Sequence, residues 1–215
     1  MPSGTRSEVF DAEVADLLYR SGCRALAFAP ETGSREMLQT IKKQVDLEHM
    51  LTAMRIAVRR GFKLSCFIVI GFPEETPQTL RQTLRLIRRM ALIGVHDVAV
   101  SKFVPYPGSK LFKELQQQGK LALDDEFFIA AMDFYTTNAP SYAAAVSTRR
   151  LYLAMLWFFV NFYLISFACR PLRTARILLK ALITGTEETR FAKWMNDILF
   201  VRRRWRRLAR AQDAL

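Results

Sequence analysis

Cysteine is scarce in this chain. Cys23, Cys66 and Cys169 are the three in 215 residues, and no two stand within forty positions of each other. That spacing excludes a disulfide framework, a paired-thiol redox motif and a zinc site, and it fits a reducing, cytoplasmic setting. Histidine is scarcer still. His49 falls on a helical pattern and His96 in a loop after Gly94, and neither has a ligand-like companion, so both read as non-catalytic. The N-terminus lacks a basic segment leading into an apolar one, so no secretory signal is expected. Acidic residues are sparse towards the C-terminus. Residues 149–215 carry 14 Lys/Arg against 4 Asp/Glu, whereas residues 1–148 carry 18 against 16. The net charge of +12 therefore belongs to the tail, where it favours an acidic surface as partner, lipid or nucleic acid. There is no internal repeat or low-complexity segment. With 51% apolar and 24% charged residues, the chain is expected to pack a core as one domain, or a small domain with an appendage.

Three turn-forming clusters stand out: Glu31-Thr32-Gly33-Ser34, Gly71-Phe72-Pro73-Glu74-Glu75-Thr76 and Pro105-Tyr106-Pro107-Gly108-Ser109. Each closes a short apolar run, Ala25 to Ala29, Leu64 to Ile70, and Val98 to Val104, and the first and third runs belong to strand candidates that begin at Arg24 and Asp97. Helical patterns fill the intervals. Ser34 caps a segment reaching about Ile41, Asp46 and Gly61 bracket a second, and Thr76-Pro77 and Gly94 bracket a third. An earlier helix spans about Glu8 to Arg20. Leu64 to Ile70 is nearly all apolar, as expected of a strand buried on both faces. Strand, loop and helix in threefold succession predict an α/β fold, a partial (β/α) TIM-like barrel of about three βα units. In such folds ligands bind at the C-terminal ends of the strands.

Each cluster has a chemical and a plainer reading. The Glu31 carboxylate could accept two hydrogen bonds from a ribose diol, with Gly33 and Ser34 offering N–H donors; alternatively Glu31 ends a strand and Ser34 caps a helix. Gly71, Phe72 and Pro73 could lie against a flat base, or form an ordinary βα loop whose Glu74 and Glu75 favour the helix dipole. Two prolines around Tyr106 could hold its ring over a pocket, or make a stiff surface turn. Cys66, inside its strand, behaves as a small hydrophobe.

In order and spacing these motifs, with Gly22, Lys43 and Gly61, resemble the second half of the barrel of the radical S-adenosylmethionine (SAM) superfamily, over about residues 1–120. The likeness is strongest to the cobalamin-binding branch, whose helical tail Phe162-Tyr163 and Arg170-Pro171 also resemble. The resemblance implies SAM as cofactor, a [4Fe-4S] cluster in intact members, cobalamin as an optional further cofactor, and radical methylation or ring formation as the reaction. It implies that Glu31 and Ser34 lie beside the ribose or methionine part of SAM. Gly71, Phe72 and Pro73 would line the adenine side, Glu75 would steady that loop, and Tyr106, Pro107 and Gly108 would border the substrate mouth. The chain departs from the family in lacking a Cys-x3-Cys-x2-Cys loop, so it carries no metal ligands and no catalytic residue of its own. Glu74 replaces a usual glycine, and Ala29-Pro30 a usual Gly-Ile pair. The expectation is a fragment, residues 1–125 forming the C-terminal half of a barrel. It would be inactive alone and completed by the missing N-terminal half or by a second copy, since a half barrel leaves strand edges bare. The alternative is a non-catalytic, membrane-associated remnant or interaction module.

Residues 126–215 are expected to form a helical, basic tail. Leu151 to Cys169 are uncharged, about 28 Å as a helix, and arginines flank them. This helix either enters a membrane or docks on the barrel, and Asn161 in mid-run favours docking. Val201 to Leu208, with Trp205 among arginines, could lie on anionic lipid at the inner face of the cell membrane. Nucleic acid is the poorer partner, for want of interleaved stacking aromatics.

Overall fold

In the computed structural model, residues 5–132, 140–184 and 189–196 are described. Helix α1 (Ala12–Arg20) starts at Asp11, whose carboxylate accepts from Val14 N. Strand β1 (Ala25–Glu31) leads to α2 (Arg35–Thr40) and α3 (Leu47–Arg60). β2 (Lys63–Ile70) leads to α4 (Pro77–Ile93), and β3 (Asp97–Lys102) to α5 (Lys110–Gln117). The fold is thus α/β with three βα units, and α6 (Asp125–Met132), α7 (Thr148–Cys169), α8 (Pro171–Thr184) and α9 (Arg190–Asn196) make the C-terminal region helical. Caps fall where side-chain chemistry puts them. Asp46 opens α3, Thr76 and Thr79 form a reciprocal capping box on α4, and Gly61 and Gly94 leave their helices in the left-handed region.

The sheet is parallel in the order β1-β2-β3, with Phe28 opposite Cys66 and Cys66 opposite Val98. One face, built from Leu26, Phe28, Leu64, Cys66, Ile68, Ile70, Val98 and Val100, is buried. α3 packs on β1, β2 and α4. The other face is less covered. Ser65, Phe67 and Val69 alternate with their buried neighbours and are half-buried, so β2 lacks the full two-sided burial that its composition predicts. Three strands do not close a barrel, and the face that closure would turn inward stays partly open. At the edge of β1, Thr5 N donates to the Ala27 carbonyl at 2.6 Å.

The chain divides into two compact units, residues 1–163 and 164–215. Most of α7 belongs with the first. Leu151, Met155, Phe158 and Phe162 follow helical spacing and are at most 2% exposed. Asn161 accepts from Arg88 Nε of α4 at 2.9 Å, and the Tyr163 hydroxyl donates to Asp97 of β3 at 2.6 Å. The polar residue inside the apolar run is explained by these partners. Length and composition alone would let α7 cross a membrane; its buried stripe and polar ties are those of a docked helix. The basic segment 201–208 lies outside the described residues.

Docking predicts a sharp contrast between the faces of α7. Phe162→Ala should cost about 3–5 kcal/mol, and Leu153→Ala, on the exposed face, within about 0.5 kcal/mol. Chemical denaturation of both variants checks this, and equal costs would remove the docking assignment.

Candidate functional site

Parallel register brings the ends of all three strands to one rim. β1 ends in a bulge between Phe28 and Glu31. Thr32 N donates to the Pro30 carbonyl at 2.8 Å across Glu31, whose φ is 64°. This is a γ-turn with a non-glycine residue at its centre, a strained conformation. The turn throws the Glu31 side chain out of the strand, where Oε1 accepts from Lys43 Nζ at 2.9 Å. The Glu31 side chain stays 22% exposed.

The next three residues are stapled to α4. Thr83 donates its one hydroxyl proton to the Thr79 carbonyl at 3.1 Å. In the 3.0 Å contact between the Thr32 and Thr83 hydroxyls, Thr32 is therefore the donor. Gly33 N donates to Thr83 Oγ1 at 3.0 Å, and Ser34 N to Thr32 Oγ1 at 3.2 Å. A methyl group on Gly33 would sit 2.5 Å from the Gln82 carbonyl oxygen and 2.7 Å from Thr83 Cα, so glycine is required for this approach. Ser34 is fully buried and caps α2 through Met37 N. The N–H donors of Gly33 and Ser34 are thus spent within the protein.

At the end of β2, Gly71 (φ 90°) donates its N–H to Glu75 Oε2 at 3.1 Å, and the Thr79 hydroxyl donates to Glu75 Oε1. Glu75 is 1% exposed, and burial raises its pKa against the opposing pull of the Thr79 and Gly71 bonds. Glu75, Thr79 and Thr83 stand at successive i, i+4 positions. Their hydrogen bonds run without a break from the Gly71 loop to the Thr32-Gly33 loop. Sequence reasoning singled out Glu75 and missed the two threonines; the fourfold spacing along α4 was the available signal.

The Gly71 loop is covered by the chain itself. The Leu151 Cδ2 lies 2.5 Å from where a Gly71 Cβ would be, and Ala144 N donates to the Pro73 carbonyl at 3.0 Å. Phe72 is buried with its ring 4.8 Å from that of Phe103, which meets Tyr142 edge-on at 6.2 Å. At the end of β3, Lys102 is a buried cation, 3% exposed, that sequence reasoning also missed. Tyr106 is 82% exposed, with exposed Pro107 and Gly108 beside it. The Tyr106 ring stands in solvent rather than over a pocket, because Ser109 N bonds back to the Tyr106 carbonyl and Ser109 opens α5.

Open space at the rim lies on the Glu31 side. A cleft of about 520 Å³ is bounded by Thr5, Ala29, Lys43 and Met50, and an adjoining one of about 700 Å³ by Arg35, Lys42, Lys43 and Asp46. Lys43, the partner of Glu31, borders both, whereas neither is lined by Glu31, Ser34, Gly71, Phe72, Pro73, Glu75 or Tyr106. An iron–sulfur cluster does not fit the thiols present. Cys23 precedes β1 at the opposite rim, Cys66 is buried within β2 with its thiol pKa pushed up by burial, and Cys169 ends α7. Among the described residues no three His, Cys, Asp or Glu side chains gather as a metal site.

Residues 2–87 match the radical SAM superfamily. An uncharacterized methyltransferase of Pyrococcus horikoshii is 25% identical over 114 residues, 52% of this chain and 24% of that protein. Cytidylyl-2-hydroxyethylphosphonate methyltransferase of Streptomyces wedmorensis is 28% identical over 125 residues, 55% of this chain and 23% of the relative. The matched part is thus about a quarter of each relative. The solved structure of coproporphyrinogen III oxidase from Escherichia coli, a radical SAM enzyme, aligns at 16% identity with a TM-score of 0.41, covering 65% of this chain and 41% of that one.

Two substitutions test the rim. Gly33→Ala forces the loop off the α4 backbone and should cost about 1–3 kcal/mol in urea unfolding. An unchanged midpoint would contradict the close approach. Glu75 titrates with a raised folded pKa, so its contribution to stability is complete below the ordinary glutamate range and is lost as pH climbs through the raised value. Glu75→Gln keeps an acceptor for Gly71 and a donor for Thr79 without titrating. As pH rises from the ordinary glutamate range through the raised value, the wild-type chain should therefore lose stability relative to the variant. Parallel pH profiles of the two melting temperatures would disprove this.

Proposed function

We propose that the rim around Glu31, steadied by the Gly71-Glu75 loop, is the SAM-binding part of a radical SAM enzyme of the methyl-transferring kind. Support comes from the superfamily match over residues 2–87 and from the methyltransferase names of two relatives. The observation that carries the reading is the hydrogen-bond chain from Thr32 and Gly33 through Thr83 and Thr79 to Glu75. It fixes two rim loops from beneath, where no bound molecule would reach, and so prepares their outer surfaces for a ligand. Glu31, held in a strained turn with its carboxylate partly exposed and tied to Lys43 of the cleft wall, is the natural acceptor for ribose hydroxyls. Lys43 orients that carboxylate and offers a positive charge to the methionine carboxylate of SAM.

The cluster that gives the superfamily its electron transfer has no ligands among these residues, and no step is assigned to it here. In this reading the three thiolates come from a segment outside the present sequence, either another part of the same protein or a second polypeptide. That segment would also cover the open sheet face, and cobalamin belongs to the reading only if that segment binds it. A second reading, an interaction module without SAM, draws on the strap of residues 142–151. Leu151 fills the notch at Gly71, and Tyr142 extends the aromatic contact over Phe72 and Phe103.

Equilibrium dialysis of labelled SAM against the full chain separates the two. The enzyme reading expects saturable binding that Glu31→Gln or Lys43→Ala weakens at least about tenfold, or about 1.4 kcal/mol, with Leu153→Ala as an unaffected control. Absence of saturable binding, or equal binding by Glu31→Gln, sinks the assignment.

A further inference from the structure

The C-terminal unit carries a surface that the nucleoside reading does not use. Helix α8 (Pro171–Thr184) has Ala181 fully buried and Ile177 and Leu178 half-buried. It packs on α9. Its outward half is not polar throughout. Leu172 is 87% exposed, Leu179 58% and Ile183 72%. At about 100° per residue, Leu172, Ala175, Leu179 and Ile183 fall within a sector about 80° wide. The exposed Arg176 and Lys180, with the half-buried Arg173 beyond them, fill the adjoining sector of about 60°. No Asp or Glu occurs on α8.

An apolar strip beside a cationic strip, both turned outward, divides a helix along its length as a lipid surface does. The apolar residues enter the acyl boundary, and the long Arg and Lys side chains reach the anionic headgroups. A second copy of the chain would set these cations against their like. Nucleic acid would use the cations and leave three large aliphatic side chains in water, with no aromatic on α8 to stack on a base. The geometry points to α8 as an interfacial helix that docks this protein on an anionic membrane surface. The same partner is the one expected from sequence for Val201 to Leu208, and α8 lies upstream of that segment. The inference is independent of SAM binding, and either can fail alone.

Sedimentation of the full chain with vesicles tests it, comparing pure phosphatidylcholine with phosphatidylcholine containing about 30 mol% phosphatidylglycerol. The chain should pellet with the anionic vesicles, less so as salt rises. Arg176→Gln and Lys180→Gln should each weaken that binding about fivefold, and Leu172→Gln with Leu179→Gln by more than about tenfold. All four positions are exposed, so each variant should melt as the wild type does; should the leucine variant unfold, the two cation variants decide. Wild-type chain left in the supernatant overturns the proposal, as does retention on RNA in place of vesicles. So does a folded leucine variant that binds as tightly as wild type, or cation variants with undiminished binding.

Discussion

The rim of this protein depends on a buried carboxylate, that of Glu75. Glu75 is held by one backbone N–H and one threonine hydroxyl, at the cost of taking a charge out of water. What offsets that cost is continuity. The same threonine offers its carbonyl to Thr83, and Thr83 holds the loop after β1. Loops forty residues apart in sequence are thereby set by one face of one helix. A ligand at this rim would meet loops whose positions are already fixed, which lowers the ordering cost of binding.

The same economy limits what the rim offers. A backbone N–H that serves the fold is not free to serve a ligand, and the donors of Gly33, Ser34 and Gly71 are all committed inward. The chemistry lining open space is that of side chains: the ammonium of Lys43, which holds the partly exposed Glu31 carboxylate, and the cations of Lys42 and Arg35 along the adjoining cleft. Recognition here would rest on charge and on the strained turn that presents Glu31, not on a cradle of amides.

Much of the fold was legible in the sequence because short-range chemistry decided it. Asp46, Thr76-Pro77, Gly61 and Gly94 mark helix ends through hydrogen bonds and backbone angles that need no distant partner. The strand cores were legible for the same reason, as short apolar runs between turn residues. The site was legible only in position. That Glu31, Gly71 and Tyr106 share a rim follows from parallel strands. That the Ser34 cap is buried, that Leu151 occupies the notch at Gly71, and that Tyr106 stands in solvent depend on contacts distant in the chain, or on a loop's exit angle. The role of Asn161 was half legible. A polar residue in an apolar run signals a partner, but only the fold identifies it as Arg88.

The half-covered sheet face has a simple physical cause. Three parallel strands bury one face against helices and cannot curl far enough to bury the other against themselves. The interior that a closed barrel would fill is represented here by Ser65, Phe67, Val69 and Ser101, half-buried and small for the most part. Helix α7 compensates locally: it spends one apolar stripe on the fold and ties itself down through Asn161 and Tyr163. A further polypeptide segment that completed the sheet would cover this face. Affinity for such a segment would be set mainly by apolar area on this face rather than by the polar rim.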